Sequence, residues 1–131
     1  MSQGPRLCLI DDDPLVRDAM ALGLEDAGFT AFTTASAAAA FEAMSASAYD
    51  VLVTDVNMPG AGGAQIIPEA RARWPAIAIV VISGAQSIGG RPIAEAASAL
   101  GADAALIKPF RTRQLVETIR EALEARAANS N

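Results

Sequence analysis

Histidine is absent from this chain of 131 residues, and cysteine, tryptophan and tyrosine each occur once. Without an imidazole the chain cannot assemble a Ser-His-Asp triad, a histidine general base or most transition-metal sites from its own residues. Its one thiol, Cys8, lies inside the first apolar run, which fits a buried, inert side chain and leaves it no redox partner within the chain. No apolar stretch approaches the roughly 20 residues that span a bilayer, and the opening MSQGPR lacks the hydrophobic core of a signal peptide. A cytoplasmic location away from membranes is expected. Basic residues are scarce too. Ten Lys and Arg against fifteen Asp and Glu leave a net charge of −5, and they are scattered, with Arg111 and Arg113 close together beside Lys108. That excludes the basic stripe on which general nucleic-acid binding depends.

What remains is aliphatic, with 52% hydrophobic residues and abundant alanine, enough for the core of one domain. Strand-like and helix-like patterns alternate along it. Leu7–Ile10 reads as a buried strand followed by the acidic run Asp11, Asp12, Asp13. Pro14 suits the first position of a helix over Pro14–Ala27, with Asp13 as its N-cap and Gly28 as its stop. Phe29–Thr34 is a threonine-rich strand whose alternation suits a sheet edge. Ser36 can cap a second helix reaching about Met44. A third helix ends near Arg73 and contains Pro68, which removes a hydrogen bond inside a helix, so this helix is expected to start late or to bend near Ile67. Ile77–Ile82 is the most apolar strand and is expected at the centre. The glycine-rich segment Ala85–Pro92 is expected to be a mobile loop before a helix over Ile93–Leu100. Ala104–Ile107 is a fifth strand, and Thr112–Ala127 a last helix with Leu115, Ile119 and Leu123 on one face. The domain is expected over residues 6–127, with residues 1–5 and 128–131 as flexible termini.

Five strand-then-helix units predict an α/β fold, a doubly wound five-stranded parallel sheet covered on both faces, in the order 2-1-3-4-5. That order sets the C-terminal tips of the first, third and fourth strands side by side. The stretch VLVTDVNMPG, Val51–Gly60, organises the rest. Its apolar strand delivers Asp55 to the tip, and Pro59 and Gly60 force the chain out of the sheet just beyond. Asp11 and Asp12 reach the same crevice from the first strand, Ser83 from the fourth and Lys108 from the fifth. Crowded carboxylates repel one another, a conflict that a hard, oxygen-seeking ion such as Mg²⁺ resolves. A lysine and a serine hydroxyl opposite such an ion offer an incoming phosphoryl group positive charge and a hydrogen-bond donor. The set predicts phosphoryl transfer onto an aspartate. Each member alone has an ordinary use, as a helix cap or a solvated surface residue; their convergence on one sheet edge points to chemistry.

LCLIDDDP, VLVTDVNMPG, VVISG and LIKPF, in this order and with these separations, resemble the receiver domain of two-component response regulators, over essentially the whole chain. The resemblance implies a flavodoxin-like sheet, so the strand order is carried over as well as reasoned. It implies a phosphoacceptor rather than an enzyme, with self-catalysed transfer and slow autodephosphorylation at most. Asp55 would be the acceptor, with Mg²⁺ bound directly by Asp12 and Asp55, through water by Asp11, and by the backbone carbonyl of Asn57. Ser83 would hydrogen-bond the phosphoryl group, Lys108 would pair with it, and Pro109 would follow a cis peptide. The implied donor is a phosphohistidine on a histidine kinase or a histidine phosphotransfer protein, in keeping with a chain that has no histidine. Output would pass through a partner-binding surface, as in stand-alone receivers. Three features depart from the pattern. Receivers usually carry Tyr or Phe three residues before the lysine, as a switch that swings inward; here the position is Ala105. The segment Ala85–Pro92 is longer than is common, and Pro68 sits in the third helix.

Two other readings compete. LCLIDDDP also fits the Asp-x-Asp of a haloacid-dehalogenase-like phosphatase, with Asp11 as nucleophile and Asp13 as acid–base, yet no acidic pair follows on a later strand and no cap domain is present. A receiver fold kept only as an interaction platform would not need Asp11, Asp12, Asp55, Ser83 and Lys108 together.

Overall fold

The computed structural model describes residues 4–56 and 63–129. Along them run β1 (Arg6–Ile10), α1 (Pro14–Asp26), β2 (Thr30–Thr34), α2 (Ala37–Ala46), β3 (Val51–Asp55), a 3-10 turn at Gly63–Gln65, α3 (Ile66–Arg73), β4 (Ala78–Ser83), α4 (Ile93–Leu100), β5 (Ala104–Ile107) and α5 (Thr112–Asn129). The five strands are all parallel and lie in the order β2-β1-β3-β4-β5, the order predicted from the alternation of elements. Threonine-rich β2 takes an edge, and wholly buried β4 lies between β3 and β5.

Period-two alternation divides the core into two layers. Leu7, Leu9, Val51, Val53, Val80 and Ile82 face one side and pack with Met20 and Leu24 of α1 and with Leu115 and Ile119 of α5. Cys8, Ile10, Leu52, Ile79 and Val81 face the other, against Phe41 and Met44 of α2, Ile67 and Ala70 of α3, and Ile93 and Ala97 of α4. Ile79 and Ile82 are wholly buried, and cutting either to alanine would cost about 2–5 kcal/mol. Burial pushes the Cys8 thiol from an ordinary 9.0 up to about 12, as suits an inert side chain.

Local signals set the helix ends. Asp13 accepts from the amides of Leu15 at 3.0 Å and Val16 at 3.4 Å, a cap that contributes about 1 kcal/mol, and Pro14 occupies the first position. Because α3 begins only at Ile66, Pro68 falls in its first turn, where an amide would have had no helical partner. The late start, not a bend, accommodates it. Phe29 belongs to the end of α1 and not to β2, since its amide donates to the Leu24 carbonyl. Helix α5 continues to Asn129, two residues past the expected end. At the N-terminus, the Pro5 carbonyl accepts from the Thr30 amide at 3.0 Å, which ties residue 5 to the sheet edge. The expected flexibility of residues 1–3, 130 and 131 concerns positions outside the described residues.

The segment expected to be a mobile loop is a hydrogen-bonded hairpin, Ser87–Ile88 against Arg91–Pro92. Gly89 and Gly90 form its tip with φ of 58° and 83°, the positive pair that a two-residue primed turn requires. The hairpin is tied to α4 by the Ile93 amide on the Gln86 carbonyl and by Arg91 on Glu95 at 3.0 Å.

Where the strands begin, Asp103 gathers the chain. Its Oδ2 accepts from Arg71 Nη2 at 2.9 Å and from the Ile79 amide at 2.8 Å, and its Oδ1 accepts from Arg126 Nε at 2.8 Å. Arg71 also donates to the carbonyls of Gly101, Pro75 and Ile77. Beside this network Trp74 meets Phe41 edge to face, ring centroids 5.5 Å apart.

Candidate functional site

At the opposite end, strand register decides which side chains meet. Ile10 pairs with Thr54 across β1 and β3, so the next residues, Asp11 and Asp55, come abreast on strands that lie roughly 4.8 Å apart. Ser83 pairs with Ile107 across β4 and β5, which leaves Lys108 one residue beyond the tip. Asp11 continues the parity of Leu7 and Leu9, Asp55 that of Val51 and Val53, and Lys108 that of Ala104 and Leu106. All three therefore emerge on the side of α1 and α5.

They are in direct contact. Lys108 Nζ donates to Asp55 Oδ2 at 2.7 Å and to Asp11 Oδ2 at 3.0 Å. The Asp11 side chain is wholly buried and that of Asp55 is 4% exposed, while Lys108 keeps 26% of its side chain in solvent. Burial alone would lower the Lys108 ammonium, but the hydrogen bonds and charges of Asp55 and Asp11 outweigh it and hold the group above its ordinary range. It is the only lysine in the chain. The Lys108–Pro109 peptide is cis, as the resemblance implied.

Asp12 completes an acidic group of three, with one carboxylate oxygen each from Asp11, Asp12 and Asp55 within 4.8 Å of one another. Two of these carboxylates are buried and Asp12 is exposed, so the group opens to solvent on the Asp12 side. Three hard oxygen donors at this spacing suit a divalent cation such as Mg²⁺. Asn57, expected to add its backbone carbonyl, lies outside the described residues.

Ser83 meets the lysine through the backbone, its carbonyl accepting from the Lys108 amide at 2.7 Å. Its parity is that of Ile79 and Val81, the side of α4, and it is wholly buried. Its Oγ donates to the Ala85 carbonyl at 2.8 Å and accepts from the Ala85 amide at 3.0 Å, which joins the β4 tip to the start of the hairpin. Ala105 has the same parity and packs against the core layer that also receives Ile88 of the hairpin. Asp13, the acid–base of the phosphatase reading, is occupied as the cap of α1.

One participant escaped the motif reading. Arg17 Nη1 donates to the backbone carbonyl of Asp11 at 2.8 Å. The only sequence signal for it was an arginine four residues after the cap, one helical turn along and so able to fold back over the acidic run.

Comparison with known proteins points one way. Residues 7–120 match the family model described as response regulator receiver domain. The chain is 36% identical over 126 residues to the C4-dicarboxylate transport transcriptional regulatory protein DctD of Rhizobium meliloti, covering 96% of this chain and 27% of that protein. It is 36% identical over 115 residues to the transcriptional regulatory protein FixJ of Azorhizobium caulinodans, covering 88% and 53%. It thus spans about a quarter to a half of the length of these relatives. Among solved structures it resembles a CheY-like response regulator receiver domain protein from Methanospirillum hungatei, at a TM-score of 0.87 and 23% identity over 97% of this chain and 99% of that one. Chemotaxis protein CheY4 of Vibrio cholerae superposes with a TM-score of 0.82 at 25% identity, covering 91% and 98%.

Proposed function

We propose, because this chain belongs to the family of response regulator receiver domains, that Asp55 is the residue at which it accepts a phosphoryl group. Domains of this family are the phosphoacceptors of two-component systems. The observation that carries the assignment to Asp55 is its pairing with Lys108 at 2.7 Å beside Asp11, at the end of the sheet where, among the described residues, three carboxylates converge. We assign residues 6–127 to the domain.

In the proposed transfer an Asp55 carboxylate oxygen attacks the phosphorus of a phosphohistidine on a histidine kinase or phosphotransfer protein. A P–O bond forms, the P–N bond breaks, and the imidazole nitrogen keeps the electron pair and takes up a proton. Asp11, Asp12, Asp55 and the Asn57 carbonyl would hold Mg²⁺, which when bound supplies charge neutralisation for the acidic group and for the phosphoryl oxygens. Lys108 already fixes one oxygen of Asp55 and carries the positive charge that the arriving phosphoryl group meets. Ser83 becomes a donor to that group by giving up its bond to the Ala85 carbonyl. Turnover of a further substrate is no part of this reading. The product is the acyl phosphate on Asp55, with slow self-hydrolysis at most and output through a protein partner. A cytoplasmic setting is part of this reading; no described helix is long and apolar enough to cross a membrane.

Incubation with acetyl phosphate and Mg²⁺ should add one phosphoryl group that is labile to base and hydroxylamine, and Asp55→Asn should abolish it. Labelling that survives Asp55→Asn and vanishes in Asp11→Asn would replace this reading with the phosphatase.

A further inference from the structure

Both peptide planes that flank Asp12 are held by side-chain bonds. Ahead of it, the Asp11 carbonyl accepts from Arg17 Nη1 at 2.8 Å. Behind it, the Asp13 amide donates to Asp11 Oδ1 at 2.9 Å. The anchors are themselves fixed. The Asp11 amide donates to the Thr34 carbonyl, and the Arg17 amide makes the first helical bond of α1, to the Asp13 carbonyl at 2.9 Å. Asp12 is exposed and no ion pair or hydrogen bond of its own side chain holds it among the described residues. Its direction is thus set through the backbone on either side.

We propose that Arg17 is a positioning residue for Asp12: by clamping the Asp11–Asp12 peptide plane it aims an otherwise untethered carboxylate at Asp11 and Asp55. The proposal rests on the reading of these three carboxylates as the Mg²⁺ site. A flexible backbone at Asp12 would have to be ordered when the cation binds; Arg17 removes that cost beforehand, as partners behind a metal ligand do. Arg17 makes no salt bridge among the described residues, so its clamp and its charge can be told apart by sign. As a bare positive charge beside three carboxylates it would oppose a cation, and its removal would tighten Mg²⁺ binding. As a clamp, its removal loosens binding.

Calorimetric titration of Mg²⁺ into the whole chain separates the two. Arg17→Met should weaken Mg²⁺ affinity about 10-fold, the low end for losing a partner behind a metal ligand. Arg17→Lys, which keeps the charge but offers a single donor on a shorter stem, should weaken it less. Far-UV circular dichroism of the apo variants should match wild type, and the acetyl phosphate labelling rate of Arg17→Met should recover at saturating Mg²⁺. Affinity in Arg17→Met equal to or tighter than wild type overturns the proposal. If Arg17→Met does not fold, Arg17→Lys decides, since wild-type affinity there means that charge alone matters. A wild-type chain that binds no Mg²⁺ defeats the reading of the site and this inference with it; wild-type affinity in the variants defeats the inference alone.

Discussion

At the end of the sheet where the strands begin, Asp103 accepts from Arg71, from Arg126 and from the Ile79 amide. At the end where they finish, Asp11 and Asp55 share the single ammonium of Lys108, and Asp12 faces solvent. Both ends join carboxylates to cations contributed by distant parts of the chain. The balance differs. One carboxylate against two guanidiniums is fully paired and sews α3, β4, β5 and α5 together, whereas three carboxylates against the Lys108 ammonium and the nearby Arg17 guanidinium leave negative charge in excess. The first arrangement is complete in itself. On the proposed function the second is completed by something that arrives, a cation and then a phosphoryl group, and that incompleteness would separate a site from a staple.

The comparison breaks most readily at Lys108. Lys108→Met would remove the ammonium that two buried carboxylates share and should lower stability by about 2–3 kcal/mol in denaturant titrations without metal, discounted from the 3–5 kcal/mol of a fully buried pair because the ammonium is partly solvated. Millimolar Mg²⁺ should restore most of this loss. Asp103→Ala removes one acceptor from two arginines that keep their backbone carbonyls and takes the same acceptor from the buried Ile79 amide, so the cost should be about 1–3 kcal/mol, and Mg²⁺ should restore none of it. Equal rescue of both variants would show that the two ends do not differ as described. Asp12→Ala should change apo stability by no more than about 0.5 kcal/mol, and raise it if at all because repulsion is relieved, while abolishing the rise in melting temperature with Mg²⁺. A clearly lower apo melting temperature would make Asp12 a structural residue.

A further effect lies at high pH. Lys108 and Cys8 both have their folded-state titrations raised, so each binds its proton more tightly folded than unfolded. The stability they contribute is complete below their unfolded values and is lost as pH climbs toward the folded ones. For Cys8 that window runs from about 9 to about 12, and the lysine follows at the alkaline end. Stability should therefore decline above pH 9, and Cys8→Ala should flatten the start of that decline. A slope unchanged in Cys8→Ala would assign the whole effect elsewhere.

Much of this was legible in the residues. The Asp13–Pro14 pair announced α1, the apolar run into Asp55 announced the central tip, and alternation of strand and helix gave the sheet order. Parity along each strand was legible too, and assigns Ser83 to the α4 side of the sheet while Asp55 and Lys108 emerge on the side of α1 and α5. Two neighbouring glycines suggest freedom, which is why the hairpin reads as a mobile loop in the sequence. In a two-residue connection they are instead the residues able to hold positive φ at both central positions. Arg17 and the Asp103 network were harder to see, because an arginine that bonds backbone carbonyls leaves no residue partner in the sequence to pair it with. Pro68 was ambiguous until the start of α3 was known.

The chain's single tryptophan, Trp74, lies against Phe41 at the Asp103 end, separated from the Asp55 tip by the length of a five- or six-residue strand, roughly 17–20 Å. Its fluorescence is therefore an optical gauge of the far end and not of the acidic crevice. Quenching by a cation bound at Asp12 would not reach it directly. A change in Trp74 emission when the crevice is filled would mean that rearrangement has crossed the whole sheet, and a second tryptophan placed beside the crevice would let both ends be timed in one protein.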